Sequence, residues 1–491
     1  MKHKIPFIFF VTIFVSQLYL SVFAQDFRTQ SMGNVDLILN HRENQLDLFH
    51  KTGNAAFMMQ AEPRAWLKMS GSSMSEQGDL RREYDPHGIH YYQFHAEGIK
   101  TLSDKQTFWG KVNYQFQRLS NLPYVLEPQP YGDDPILIAD TTIGQMNADG
   151  PMVTVRYQYQ FTDRFSLGSG LFYHISQAIK KQYTRARVLH RDFAAQLAFA
   201  FNFGKNFILG GYYAHQNIQD EIKLKTSIVD GISPLIKRRW SEDVFWRRTG
   251  KLTHYDKYFN NRANISFSRA NTGSALSHLF QFNYENRTLD GFDKTSKIRS
   301  DSDWFEDIYS VEYEGRYRGR QNRWNAGIRL GWEYRSGFNK HPALAILITR
   351  RKIQRPSVEA GISRRFRTEK PILLAVQAGF LQERNIYDDY QSQVFRDFRQ
   401  NQFLLKLGTD WQLNSIHHFL LGINIGDFRQ NMYSPRYLPD HTLYRFSVGL
   451  SEHRLRYNYL FIFEFYTAEN RNRHNSFNGW RLTFYTQIFP K

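Results

Sequence analysis

Residues 107–118 read Thr107-Phe108-Trp109-Gly110-Lys111-Val112-Asn113-Tyr114-Gln115-Phe116-Gln117-Arg118. Trp109, Lys111, Asn113, Gln115 and Gln117 alternate with Phe108, Gly110, Val112, Tyr114 and Phe116. A period of two sustained over about ten residues describes a strand with one face against something oily and the other against something wet. Beyond a long polar stretch the pattern returns. Val153, Val155, Tyr157, Tyr159 and Phe161 interleave with Thr154, Arg156, Gln158 and Gln160. The unit repeats from residue 63 to residue 490: two alternating segments, a very short turn, then a long polar loop. A soluble sandwich uses shorter strands and does not alternate short and long connections so regularly. A barrel that crosses an outer membrane needs both features. The expected fold is all-β: a closed antiparallel transmembrane β-barrel of about eighteen strands (sixteen to twenty), with short periplasmic turns and long extracellular loops.

The alternation is clearest in the second half. Tyr309, Val311, Tyr313 and Tyr317 face one way, and Ser310, Glu312, Glu314, Arg316 and Arg318 the other. Trp324, Ala326, Ile328, Leu330, Trp332 and Tyr334 alternate with Asn325, Arg329, Glu333 and Arg335. A charge on the lipid face near the midplane costs about 2–4 kcal/mol, so the charged sets belong to the lumen. The basic lumen candidates are Lys111, Arg156, Arg316, Arg318, Arg329, Arg335, Lys406, Arg445, Arg456 and Arg481. The acidic ones are Glu97, Glu285, Glu312, Glu314, Glu333, Glu359, Asp410 and Glu464. They read either as charged rings that select solutes or as cross-strand pairs that stabilise the sheet.

Around this barrel the chain divides simply. Residues 1–24 have the form of a secretory signal: Lys2 and Lys4, an apolar run from Ile5 to Phe23, and Val22-Phe23-Ala24 before Gln25. The alternative is a signal anchor. There is no cysteine, hence no lipobox. Residues 25–62 form a periplasmic segment or a plug folded into the lumen, with Gly53, Asn54 and Ala55 as its marker. Residues 63–491 form the barrel. Both chain ends fall on the periplasmic side. The longest outer loops are expected near 119–150 and 219–257.

Composition fits this compartment. Mean hydropathy is −0.56, yet strands hide apolar residues one at a time. Aromatics make up 16% of the chain, including 41 Phe and 29 Tyr, as lipid-facing girdles require. The absence of cysteine removes disulfides, thiolate metal sites and cysteine nucleophiles. The net charge of +18 is spread over wet strand faces, turns and loops. It points to outer-membrane lipid, lipopolysaccharide or anionic solutes rather than nucleic acid. Lys237-Arg238-Arg239-Trp240 and Phe245-Trp246-Arg247-Arg248 interleave basic and aromatic residues. They are read as an outer loop that contacts lipopolysaccharide or folds inward.

Catalytic and metal signals are weak, and neither a cofactor nor a metal site is expected. His87, His90 and His95 lie close in sequence, but His90 and His95 differ in strand parity. An outer-wall hydrolase would need Ser, His and an acid together. His174 and Ser176 share a face, whereas Ser277 and His278 are adjacent and point apart.

The run Ala96-Glu97-Gly98-Ile99-Lys100-Thr101-Leu102, a short turn, and Thr107 to Tyr114 resemble the early hairpin of a Bacteroidetes-type outer-membrane β-barrel family of uncharacterised function. That resemblance implies fold and location, and work beside a TonB-dependent receptor or another outer-membrane complex. A weaker resemblance is to fatty-acid-transporter-like barrels, which carry Asn-Pro-Ala before the first strands. Here Asn54-Ala55-Ala56 occupies that place without the proline.

The expected function is movement of a solute across the outer membrane of a Gram-negative bacterium. The rivals are a non-conducting accessory barrel of an uptake or secretion complex and, more remotely, an outer-membrane hydrolase.

Overall fold

A computed structural model describes residues 48–60, 65–125, 136–182, 185–204, 207–224, 235–238, 245–247, 252–269, 276–293, 303–319, 323–340, 346–366, 368–431, 438–454, 457–470 and 475–488. A short helix, α1 (Leu48–Thr52), and a 3-10 turn (Ala55–Gln60) precede the strands. The strands are β1 (Ala65–Gly78), β2 (Gly88–Ser103), β3 (Gln106–Val125), β4 (Ile136–Gln160), β5 (Phe165–Lys180), β6 (Arg187–Phe203), β7 (Phe207–Leu224), β8 (Leu235–Arg238), β9 (Phe245–Arg247) and β10 (Leu252–Arg269). They continue as β11 (Leu276–Asp293), β12 (Trp304–Arg318), β13 (Trp324–Lys340), β14 (Leu347–Phe366), β15 (Ile372–Asp389), β16 (Val394–Gln412), β17 (His417–Gln430), β18 (His441–His453), β19 (Tyr457–Asn470) and β20 (Ser476–Ile488).

Each long strand pairs antiparallel with its neighbour, β7 pairs directly with β10, and β20 returns to β1 from Leu67↔Ile488 to Gly78↔Phe477. The result is a closed barrel of 18 strands. Closure leaves no unpaired edge, so every spanning backbone group is satisfied inside the sheet. No helix among the described residues is long and apolar enough to cross a membrane.

The period of two separates the two faces. Ile328, Leu330, Trp332, Phe461, Phe463 and Phe465 are exposed on the outer wall. Ser70, Gln93, Asn113, Gln377 and Ser447 alternate with outward residues and are buried within. Outward aromatics pair across strands, as Phe380 and Phe403 do with ring centroids 4.8 Å apart.

Connections at one end are short, and the β2–β3 turn is only Asp104 and Lys105. At the other end the described residues of the two regions expected as long loops are strand. β3 and β4 run on past the band to Val125 and from Ile136, with register shifts after Leu119 and Pro123. Within 219–257, β7 reaches Leu224, β10 starts at Leu252, and β8 and β9 form a hairpin between them. The β8 backbone pairs with the outer end of β4, Ile136↔Arg238 to Ala139↔Leu235. The Lys237-Arg238 and Phe245-Trp246-Arg247 runs therefore lie on a sheet extension rather than in a loop; Arg239, Trp240 and Arg248 lie outside the described residues. Residues 1–47, with the expected signal, also lie outside them, as do Arg456 and Phe489 to Lys491.

Candidate functional site

Residues 48–60 fold against the inner wall, and local chemistry gives them their shape. α1 ends at Gly53, whose φ of 70° is the left-handed conformation that terminates helices. Gly53 N donates to Phe49 O at 2.9 Å, and Thr52 Oγ1 donates to Leu48 O at 2.6 Å. Asn54 then turns the chain: its Oδ1 accepts from Ala56 N at 2.8 Å, and its N donates to Thr52 Oγ1 at 3.1 Å.

The same Asn54 ties the segment to the wall. Its Nδ2 donates to the carbonyls of Phe199 and Gly211, 3.2 Å each, which are register partners across β6 and β7. Ser166 Oγ donates to Ala56 O at 3.0 Å, and Gln196 Nε2 to Gly53 O at 3.1 Å. The wall leaves room for this approach. A Cβ on Gly168 would stand 2.5 Å from Ala56 N, and one on Gly210 would stand 2.3 Å from Phe57 Cζ. Leu48, Phe49, Ala55, Ala56, Phe57 and Met58 are all buried, and they pack on Trp66, Ile99, Trp109, Ala198, Ala200 and Leu279. Burying side chains the size of Leu, Phe and Met contributes roughly 1.5–3 kcal/mol each.

Two polar clasps hold α1 from opposite sides of the lumen. His50 Nε2 meets Glu97 Oε1 at 2.9 Å; Glu97 also accepts from Trp109 Nε1 at 3.1 Å and meets His95 Nε2 at 3.1 Å. Lys51 Nζ donates to Glu314 Oε2, and the same carboxylate holds Arg316 Nε at 2.5 Å and Arg329 Nη2 at 3.4 Å. Glu97 is on β2 and Glu314 on β12, eight strands apart one way round the barrel and ten the other. The segment therefore bridges the lumen. Burial pushes the Lys51 ammonium down to about 8, against the upward pull of Glu314.

The remaining lumen candidates fall around this bridge. Lys111 stands in register with Glu97. The Arg156 guanidinium lies 5.2 Å from the ring centroids of both Phe49 and Trp109, a cation–π contact to plug and wall together. Arg329 reaches Glu359 at 3.6 Å, and Arg335 meets Glu333 at 2.8 Å. Arg355, not singled out by sequence, bridges Glu333 at 2.9 Å and Glu383 at 2.6 Å. Arg262 and Arg287 share Glu285, Arg481 meets Glu464 at 3.4 Å, and His418 meets Asp410 at 2.9 Å. Glu312 and Arg318 share the strand parity of Glu314. Lys406 and Arg445 are buried inside the wall.

The seat itself was missed from sequence. Its signal lies in the residues of wet parity that are apolar or small: Ile99, Trp109, Gly168, Ala198, Ala200 and Gly210. The hydrolase candidates do not assemble on the outer wall. His174 packs inward against His190, with centroids 4.8 Å apart, while His278 faces outward and bonds Tyr313 Oη at 2.7 Å. Among the described residues no group of three or more His, Cys, Asp or Glu is placed to hold a metal ion.

Comparison with known proteins places the chain in a family of unknown function, DUF6850: the family model matches residues 55–480, and the chain belongs to that family. No curated protein matches it. Among solved structures it is similar to the ferric preacinetobactin receptor BauA of Acinetobacter baumannii (9% identity, 87% of this chain and 80% of that one, TM-score 0.44). It is also similar to the copper transporter OprC (8%, 87% and 80%, 0.42) and to the ferric yersiniabactin uptake receptor FyuA of Yersinia pestis (8%, 86% and 80%, 0.41).

Proposed function

We propose that this chain is an outer-membrane barrel that moves a solute through its lumen, and that residues 48–60 are a plug that passage must displace. The observation that carries the reading is the bridge across the lumen: a segment outside the barrel wall, clasped by Glu97 on one side and Glu314 on the other. Barrels of this strand number leave an aqueous channel unless something fills it. The wall keeps Gly168 and Gly210 free of side chains where the segment lies, and part of the grip is polar. Side-chain ion pairs and hydrogen bonds can be exchanged for water when the segment leaves. The outward aromatic wall suits the outer membrane of a Gram-negative cell, with lipopolysaccharide around the long-loop end. Removal of the plug by a partner, such as a TonB-dependent receptor complex in nutrient uptake, fits a segment that lies N-terminal to the barrel. The chain is read as a non-enzyme, with no cofactor.

A second reading is favoured by the apolar seat and the paired lumen charges: an accessory barrel, permanently closed, serving an uptake or secretion complex. Single-channel conductance in planar bilayers separates the two. The full chain, a deletion of residues 26–60, and Gly168→Ala, whose added Cβ would stand 2.5 Å from Ala56 N and unseat the plug, are compared. Conductance gained both by deletion and in Gly168→Ala supports a displaceable plug. Silence in all three moves the assignment to the accessory barrel. Equal conductance in all three removes residues 48–60 as the gate.

A further inference from the structure

Away from the plug, at the long-loop end, a second arrangement lies on one register row. Arg445 of β18 stands opposite Tyr466 of β19, Tyr466 opposite Gly479 of β20, and Gly479 opposite Glu76 of β1. The Tyr466 ring lies over Gly479, where a Cβ would stand 2.3 Å from it, and its Oη donates to Glu76 Oε2 at 3.1 Å. The β1–β2 loop folds inward over this row. Leu80 packs on Leu443 and Tyr466, with Phe477 beside them. The loop is braced by Asp85, which accepts from Arg82 N at 2.9 Å and Arg82 Nε at 3.1 Å. Beneath it is a cavity of about 70 Å³ lined by Arg445, Tyr466, Leu80, Ile89, Leu443 and Phe477, with Glu76, Asp85, Arg81, His87 and His441 also in its lining.

Arg445 is the anomaly. It is 6% exposed, and its Nε has no hydrogen-bond partner. Its contact is the Tyr466 ring, 5.6 Å away. Both carboxylates of the cavity are engaged elsewhere, Glu76 by Tyr466 and Asp85 by Arg82. A buried cation is ordinarily paired, because the cost of taking it out of water is otherwise uncompensated. A guanidinium presents a planar fork of donors that matches a carboxylate. The surface that the lining turns to the cavity is largely apolar. We infer that this cavity is a binding site for a very short monocarboxylate, its carboxylate on Arg445 and its alkyl part against Leu80, Ile89, Leu443 and Phe477. A cavity of about 150 Å³ holds the six carbons of benzene, so one of about half that size takes an acid of acetate dimensions. A phosphate dianion fits poorly, with Glu76 and Asp85 in the lining and largely apolar walls. As the class of transported solute this rests on the transport reading; as a binding site it does not.

The test is isothermal titration of acetate, and separately of inorganic phosphate, into the purified full chain in detergent. The expected result is saturable binding of acetate at one site that phosphate does not displace. Arg445→Gln weakens it at least tenfold. Because Arg445→Gln sits in the wall, Leu80→Trp provides a loop variant that fills the cavity and abolishes binding with the barrel unchanged. No saturable acetate heat, binding retained in both Arg445→Gln and Leu80→Trp, or preference for phosphate overturns the assignment. Conductance is recorded in parallel on the deletion of residues 26–60. Binding by the full chain with a silent deletion upholds the site and removes transport, whereas a conducting deletion without binding by the full chain removes the site and upholds transport.

Discussion

Gly168→Ala is the sharpest perturbation of the plug, because it adds one methyl group to the wall and nothing to the plug. The new Cβ would stand 2.5 Å from Ala56 N, 2.6 Å from Ala55 C and 2.8 Å from Ala55 Cβ. Carbon contacts are comfortable near 3.5–4.0 Å, so the plug backbone must retreat by about 1 Å. The contacts that hold it have little slack. Asn54 Nδ2 is already 3.2 Å from both Phe199 O and Gly211 O, and Ser166 Oγ is 3.0 Å from Ala56 O. A retreat of that size takes all three beyond hydrogen-bond range. Three bonds at roughly 1 kcal/mol each, with up to about 2 kcal/mol of residual crowding, amount to about 3–5 kcal/mol against seating. That shifts the seated equilibrium by about two to three orders of magnitude. The barrel itself should not suffer. Gly168 lies inside β5 between Gln158 and Ala198, where replacing glycine is neutral or favourable to a strand. The chain has no cysteine, so Met58→Cys on the buried face of the plug supplies a single reporter. Its maleimide labelling in detergent should rise about a hundredfold when Gly168→Ala is added, with unchanged heat-modifiable migration of the barrel. An unchanged labelling rate on an intact barrel would refute the account of the seat.

Three further outcomes use the same reporter or the same barrel. Gly210→Ala places a Cβ 2.3 Å from the Phe57 ring, so adding Phe57→Leu should restore part of the lost protection, with a coupling of at least about 1 kcal/mol in the double-mutant cycle. Lys51 falls from 10.5 free to about 8 when seated, so the seated form binds fewer protons between those values and seating strengthens as pH rises through that window. The ratio of labelling rates in Lys51→Met and the lysine parent should therefore grow from pH 7.5 to 9.5, and a flat ratio would count against a buried Lys51. Arg355→Met takes one ion-pair partner from each of Glu333 and Glu383, both buried, and should cost the barrel about 1–3 kcal/mol, seen as a lower temperature for loss of the compact gel band.

How much was legible can be judged from particular residues. Trp324 to Tyr334 alternate strictly because the outer wall meets lipid and the inner wall meets charge, and each residue type reports its side. Trp109 and Ile99 break that code. They occupy wet positions, yet they serve an apolar plug that the chain delivers from elsewhere. Sequence marked Gly53-Asn54-Ala55 as a plug candidate, but not that Asn54 would bond two strand carbonyls more than 140 residues away. The hairpin β8–β9 was read as loop because its strands are three and four residues long and draw support from β4, far off in the chain.

Sequence by itself determined the strands, their parity, the alternation of short and long connections, and hence the barrel. Those depend on local periodicity against two solvents, and a period of two is written in the chain residue by residue. Only the tertiary structure decided what fills the lumen and which charges meet. Lys51 and Glu314 are 263 residues apart, and Glu97 gathers His50, His95 and Trp109 from plug and wall. It also decided that Arg445 is buried beside a cavity with its Nε unbonded. Such pairings depend on curvature, depth and loop folding, which bring distant side chains within a few ångströms and leave no periodic trace in the sequence.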